Sequence, residues 1–498
     1  MNGRKRIYTD ENFITKKNVV GVVSEAFTLH QANAGEISLL MDIEKNVQSL
    51  SREKTIRPEI NVIATDPIPA QIVDFKQGYE NGTPINYIQR ANVDSGNPND
   101  SDLETRKDDL RIATLNEMMR ECKKASKDNK LSRDLKICGV GYRYIAPNKT
   151  NRGISPFRIY ILNPECTFII YRNNVEEDAI AAVTYVTDKG AVVKYNVWTN
   201  ESFFEFGPSI KGITERPNVI GMIPIVEYIN NYDLMGSFEK QLPLIDAYNI
   251  VTSDRVNDLC QQVQSILWMH NTKLDEEQKG ELVNGGVIQT QATADGKEVK
   301  IQYINAPLRQ SDIQTLASDI KERILESAGV PKLSNQDNST GEATRITNGW
   351  HTAETQAKIS ELTWREAEDR TLEICLEFIR SQKENLNDIQ SLKLSDIGYD
   401  MHRSENYDIA SRVNSFATLV NIGSDIKKSA QLCKITDDPL QFALDSENGI
   451  NKLRFASLST NSTPDKENSP NEAKIDLESN DKALETERSL QPSKVTNL

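Results

Sequence analysis

A chain of 498 residues is too long for one ordinary core, so about two to four packed units are expected. Hydrophobic residues at 38% and charged residues at 27% make a polar-leaning globular composition, and a formal charge of −14 excludes a surface that binds chiefly by neutralising phosphates. That charge fits plain solubility first, and also a surface that DNA passes without sticking; charge alone does not choose between them.

Residues 1–15 are polar and read as loose chain; the basic start is followed by no apolar run, so no signal peptide is expected. From Val19 to about Ser51, Leu39, Leu40, Ile43, Val47 and Leu50 recur at helical spacing, and a second helix is predicted over about Pro69–Gly78. Residues 91–108 are turn formers and charges and read as a loop, with helices resuming at Leu110–Ala125 and Leu131–Ile137. Arg158–Leu162, Thr167–Tyr171, Ala181–Val186, Val192–Trp198 and Phe203–Phe206 are short β-branched and aromatic runs, predicted to form an antiparallel sheet or meander. The longest apolar stretch, Val219–Val226, is interrupted by Pro224 and falls far short of the ~18 residues of a membrane span, so no membrane contact is expected.

Helix is predicted again from about Phe238 to Met269. A small αβ insert follows, with a helix at Asp275–Leu282 and strands at Val287–Thr293 and Glu298–Ile304 flanking an Asp295-Gly296 hairpin turn. The next helix, about Arg309–Ala328, stops at Gly329 with Pro331 beyond. After a polar segment, 330–341, a long helix fills about Gly341–Gln382, opened by the capping box Ser339-Thr340-Gly341-Glu342. Leu392–Met401 is predicted as a strand and 405–455 as helices. From Leu458 onward the composition cannot pack a core and should be disordered by itself.

No catalytic constellation emerges. The six cysteines, at 122, 138, 166, 260, 375 and 433, form no CxxC pair; Cys138, Cys166, Cys260 and Cys375 sit in apolar or helical patterns and read as reduced core residues of a cytosolic assembly. The histidines at 30, 270, 351 and 402 match no zinc-hydrolase spacing. Gly296-Lys297 is half a phosphate loop at most, since Gln291 replaces the earlier glycine and Glu298 the Ser or Thr. Glu361, Glu366, Glu368 and Asp369 alternate with Arg365 and Arg370 and read as a solvated ion-pair face of the long helix. No catalytic residue, metal or cofactor is therefore expected.

The order helix, compact insert, helix, polar loop, very long helix describes a stalk with a knob, each ~20-residue helix spanning about 30 Å. Several segments carry a family likeness: Ile72-Val73-Asp74 with Gly78-Tyr79-Glu80-Asn81-Gly82-Thr83-Pro84-Ile85; Asp134-Leu135 with Cys138-Gly139-Val140-Gly141-Tyr142; and Asn163-Pro164-Glu165 with Ile170-Tyr171. Further along are Ile223-Pro224-Ile225-Val226-Glu227-Tyr228-Ile229-Asn230-Asn231, Ser237-Phe238-Glu239 with Leu244-Ile245-Asp246-Ala247-Tyr248-Asn249 and Ser253, Ser339-Thr340-Gly341-Glu342-Ala343, and Asp437-Asp438-Pro439. In this order they resemble the portal proteins of long-tailed bacteriophages over roughly residues 20–455, with Asn163, Arg172 and Thr340 departing from the usual pattern.

The resemblance implies an α+β portal fold assembled as a ring of about twelve copies around a channel. Its parts would be a wing (1–235, with a long helix and strand over 342–404), stem helices (236–269 and 308–329), a clip (270–307), a channel loop (330–341), a helical crown (405–457) and a tail (458–498). It implies a virion protein at the capsid's portal vertex, assembled in the bacterial cytoplasm. The implied partners are the large terminase subunit, major capsid and scaffolding proteins, head–tail connector proteins, and double-stranded DNA held without sequence preference.

Leu244, Ile245, Tyr248, Val251 and Val256 surround a helix whose neighbours are too polar to enclose it, and read as subunit contacts; the alternative is a buried helix of a monomer. Lys332, Ser334, Asn335, Gln336, Asp337, Asn338 and Ser339 would be the DNA-facing loop, its short polar groups suited to exchangeable phosphate contacts, with Lys332 the full positive charge. An ordinary helix connector is the alternative there. Two other classes stay open: an enzyme of the packaging vertex, nuclease or ATPase, and a monomeric interaction scaffold.

Overall fold

The strands between residues 140 and 229 part into two sheets instead of one meander. The computed structural model describes residues 3–47, 59–90, 101–149, 153–208, 212–263, 266–270, 300–304, 310–332, 349–401 and 409–433, with positions 435, 442 and 446. The chain divides into two units, Met1–Glu405 and Asn406–Leu498.

In the first unit, β1 (Ile7–Thr9), β5 (Thr167–Arg172), β6 (Ala179–Asp188), β7 (Ala191–Trp198), β8 (Ser202–Phe206) and β9 (Thr214–Pro217) form a six-stranded sheet in the order β1-β5-β6-β7-β8-β9. It is antiparallel except at β1, which pairs in parallel with Ile170–Arg172. The predicted loose start is thus wrong at this point. Ile7 is buried, and Arg4 is fixed by its Nη1 donating to the Cys138 carbonyl at 3.1 Å and its Nη2 to Glu239 at 2.5 Å. A three-residue strand carries no periodic signal of its own; the distant β5 defines it.

The N-terminal half of α1 (Val19–Glu44) lays Val19, Val22, Val23 and Ala26 on this sheet against Phe168, Val183, Val197 and Phe204. The second sheet, β10-β3-β4, joins β3 (Val140–Pro147), β4 (Phe157–Leu162) and β10 (Ile225–Ile229), and both of its faces are covered. Ile225 and Ile229 turn toward α1 and α2 (Ile68–Asn81), while Val226 and Tyr228 turn toward a core shared with α3 (Ser101–Glu121), α4 (Lys124–Cys138) and the long helix. Burial on both sides explains the continuous apolar run around Pro224, where a half-exposed strand would alternate.

Three further expectations need correcting. Helix α3 begins at Ser101, inside the predicted 91–108 loop, where Leu103, Glu104, Arg106 and Lys107 favour helix within the charged run. The helix predicted to reach Met269 is α5 (Leu242–Val263), and Ile266–His270 is instead a strand, β11, antiparallel to β12 (Lys300–Ile304). The run Ile-Leu-Trp-Met is apolar throughout, so periodicity could not separate helix from strand. Within Leu392–Met401 only Ile397–Asp400 (β13) forms a strand, paired with β2 (Asn86–Gln89). Helices α6 (Gln310–Ser327) and α7 (Trp350–Arg380) complete the unit.

The second unit contains, among the described residues, α8 (Ile409–Asn421) and α9 (Ile426–Cys433), with Val420, Ile426, Ala430 and Cys433 buried and a turn at Gly423, φ 94°. Asp275–Leu282, Val287–Thr293, the Asp295-Gly296 turn, the capping box at 339–342 and the tail lie outside the described residues.

Candidate subunit interface and channel segment

Helix α5 is the centre of this region, and its faces are distributed against the simple apolar-inward rule. Asn249, Ser253 and Asn257, at steps of four, have no exposed surface, whereas Leu244, Ile250 and Leu259 are exposed. The buried polar stripe grips an extended segment, residues 60–66, running antiparallel to it. The Val62 N–H donates to Asn257 Oδ1 at 2.7 Å and the Val62 carbonyl accepts from Asn257 Nδ2 at 2.9 Å. The Ala64 N–H donates to Ser253 Oγ at 3.0 Å, and the Asp66 N–H to Asn249 Oδ1 at 3.2 Å. Four helical residues rise about 6 Å and two extended residues about 6.6 Å, so each turn of the helix meets every second residue of the strap. Pro67 and Pro69 then end the strap and start α2, which has proline in its first turn.

The strap also ties α5 to α6. Asp66 Oδ2 accepts from Lys321 Nζ of α6 at 2.9 Å and from the Tyr248 hydroxyl at 3.2 Å. Further along, Arg255 Nε donates to Gln310 at 2.9 Å, so α5 and α6 run antiparallel. Of the residues expected at a subunit contact, Ile245 is completely buried in this chain's own core and Tyr248 is tied to Asp66. Val251 and Val256 are half-buried and Leu244 is exposed.

At the end of α6 Gly329 adopts φ 75°, and the Val330 N–H returns to the Leu325 carbonyl at 2.9 Å. This is a Schellman-type stop, with buried Val330 anchoring the outgoing chain. A side chain at Gly329 would meet the Gln356 amide of α7, so the stop is clamped against the long helix. Lys332 is exposed, but its ammonium is not a free charge: Glu322 Oε2 accepts from it at 2.8 Å, and that hydrogen bond raises the Lys332 pKa. Ser334, Asn335, Gln336, Asp337, Asn338 and Ser339 lie outside the described residues.

Most of the acidic run on α7 is the ion-pair face that its spacing suggested, with Glu366 and Arg370 exposed and Arg365 paired with Glu361, but Glu368 is the exception. Glu368 has no exposed surface and, with Asp128, Lys124 and Arg143, forms a sealed cluster of two anions and two cations. Arg143 Nη1 donates to Glu368 at 2.8 Å, Lys124 Nζ reaches Glu368 at 3.0 Å and Asp128 at 2.5 Å, and Arg143 Nη2 donates to Asp128. The Tyr87 hydroxyl donates to Glu368 at 2.6 Å; Tyr228 accepts from Arg143 at 2.6 Å. Burial alone would raise the Glu368 pKa, but Arg143 and Lys124 reverse this and hold it well below the carboxylate range. For Asp128 burial prevails over the same two cations, and its pKa is raised. The cluster pins α4, β3 and α7 together, and Arg143 and Glu368 offer no surface to a substrate.

His30, one of the four histidines, is buried on Phe168, with Nε2 at 2.8 Å from the Glu165 carbonyl. Burial lowers its pKa, which favours the neutral ring. All six cysteines are free thiols. Among the described residues, no group of three or more His, Cys, Asp or Glu could hold a metal ion, and no helix is long and apolar enough to cross a membrane.

The model of the family described as phage portal protein, SPP1 Gp6-like, matches residues 41–441, from the end of α1 through α9. No curated protein matches the chain. With most of its length inside that match, the chain belongs to the SPP1 Gp6-like phage portal proteins, the family that provides the channel through which DNA is packaged into the capsid.

Proposed function

We propose that about twelve copies of this chain close into a ring at the capsid vertex, since a closed ring satisfies head-to-tail contacts that would otherwise grow without limit. Residues 1–235 and 342–404 form the peripheral wing, 236–269 and 308–329 the stem, 270–307 the clip, 330–341 the channel segment and 405–457 the crown. The ring docks the large terminase subunit and later the head–tail connector proteins, and contacts the major capsid and scaffolding proteins. Motor chemistry belongs to the terminase, and this chain is not an enzyme.

The observation that carries this reading is the character of the two braced helices. Helix α5 exposes Asp246 and Asp258, and α6 exposes Asp312, Asp319, Glu322 and Glu326, with Arg323 the exposed cation among them. An acidic stem repels phosphates, so DNA slides past it instead of binding. The test is the mass of the purified full chain together with ATP turnover and DNA cleavage. A ring of about twelve subunits without either activity is the expected result. A monomer that hydrolyses ATP or cuts DNA would overturn the proposal.

A further inference from the structure

Among the described residues, helix-borne asparagines hold one backbone residue by both its N–H and its carbonyl at three places. Asn33 takes both the N–H and the carbonyl of Lys5, at 3.0 and 2.8 Å, and Asn116 does the same for Tyr87, at 3.1 and 2.9 Å. Asn257 is the third, at Val62. In each case one amide supplies the acceptor and donor that a neighbouring strand would have supplied.

The strap is closed in this way on one side only. Alternate residues of an extended chain direct their backbone groups to opposite sides. Val62, Ala64 and Asp66 therefore face α5, and Ile63 and Thr65 face away. Among the described residues, the backbone N–H and carbonyl groups of Ile63 and Thr65 have no partner. The side chains beside this open edge are apolar, Val62 being 44% and Ile63 47% exposed. Neither charge nor proline protects residues 62–65 of this edge, which are Val, Ile, Ala and Thr. By contrast β9, another edge strand, contains Glu215, Arg216 and Pro217.

We infer that the open edge of the strap accepts an extended segment of a second copy of the chain by strand addition, an inference that rests on the ring reading. Strand addition draws affinity from main-chain hydrogen bonds and selectivity from the alternate side chains, which here are short and apolar. The edge is continuous with the stem. The strap is bonded along α5 and, through Asp66, to α6, so a neighbour seated on it would hold both helices of one subunit at once.

Amide hydrogen exchange on the assembled full-length ring, read at single residues, tests this. The Ile63 and Thr65 amides are expected to exchange at least ~10-fold more slowly than in an unstructured peptide. Ile63→Pro and Thr65→Pro remove these outward N–H donors while leaving those of Val62, Ala64 and Asp66, so both should reduce the ring fraction, while Ile63→Val keeps it. If rings form and both amides exchange at the free-peptide rate, the strap inference fails and the ring reading stands. If no ring forms, both fall. The exchange measurement on the wild-type chain decides the matter even if a proline variant does not fold.

Discussion

Glu368 is held by groups that no sequence window could have placed beside it: Arg143 is 225 positions away and Tyr87 is 281. Its spacing from Arg365 and Arg370 looks the same whether the helix face is wet or dry, so the run was read as solvated. In the fold, removing one charge leaves three buried charges that no longer balance. Glu368→Gln keeps the shape and should destabilise the chain by about 3–5 kcal/mol, seen as a large fall in the urea midpoint. A midpoint equal to wild type would mean that the cluster is not sealed. Asp134 gives a pH-dependent case. Burial lifts its carboxyl to about 6, against the opposing pull of Lys130 and Arg133. Because the folded value lies above the unfolded value of about 4, the folded chain takes up the extra proton between them, and the stabilising contribution fades as pH rises through 6. Asp134→Asn should therefore raise the thermal midpoint at about pH 7.5, by an amount on the order of 1–2 kcal/mol, and change little at about pH 4. An equal gain at both values would show that the carboxyl is not perturbed.

The strap and α5 form one element in energetic terms, although they lie 195 residues apart at Val62 and Asn257. Asn257→Ala removes a donor and an acceptor, both on a fully buried side chain, from the Val62 backbone. It should cost about 1–3 kcal/mol and speed exchange of the Val62 amide specifically, with α5 itself still helical. Unchanged exchange at Val62 would show that other groups hold the strap. The long helices were legible in the sequence, although the stop of α5 was not. The Gly329 stop of α6, the alternating strands β4 to β8 and the interior of α7 lie close to where periodicity and turn chemistry predict them. What stayed hidden depends on distant partners. β1 exists only beside β5, and the middle of β3 carries a fully buried Arg143 that disguises a core strand. On α5 the apolar pattern points to Leu244, Ile245, Tyr248, Val251 and Val256 as a contact surface, whereas Asn249, Ser253 and Asn257 are the fully buried polar stripe. The signal available was a polar i, i+4, i+8 stripe on a helix, and an isolated reading of it gives a solvent face.

At the scale of the whole molecule, the family brings a DNA channel, and the segment proposed to line it contains Lys332. Lys332 was expected to offer a free positive charge to DNA; it is instead neutralised by Glu322 one turn inside α6, with Glu326 nearby. Exposed ion pairs of this kind are weak and exchangeable. With residues 330–341 proposed to line the channel, a passing phosphate would take Lys332 from Glu322 and return it, a brief hold at each step in place of a tight site. A permanently basic ring would bind with a steep salt dependence and stall translocation. Lys332→Glu should leave ring assembly intact, because the side chain is exposed, and should lower the DNA retained per capsid, since it places a second anion beside Glu322. Glu322→Gln should act in the opposite direction, freeing Lys332 to hold phosphates for longer and slowing DNA release. The measurement is DNA content per particle and the time course of ejection for capsids assembled with each variant. Capsids carrying Lys332→Glu, and capsids with residues 334–338 all replaced by alanine, that fill, retain and eject as wild type would remove this segment from the channel.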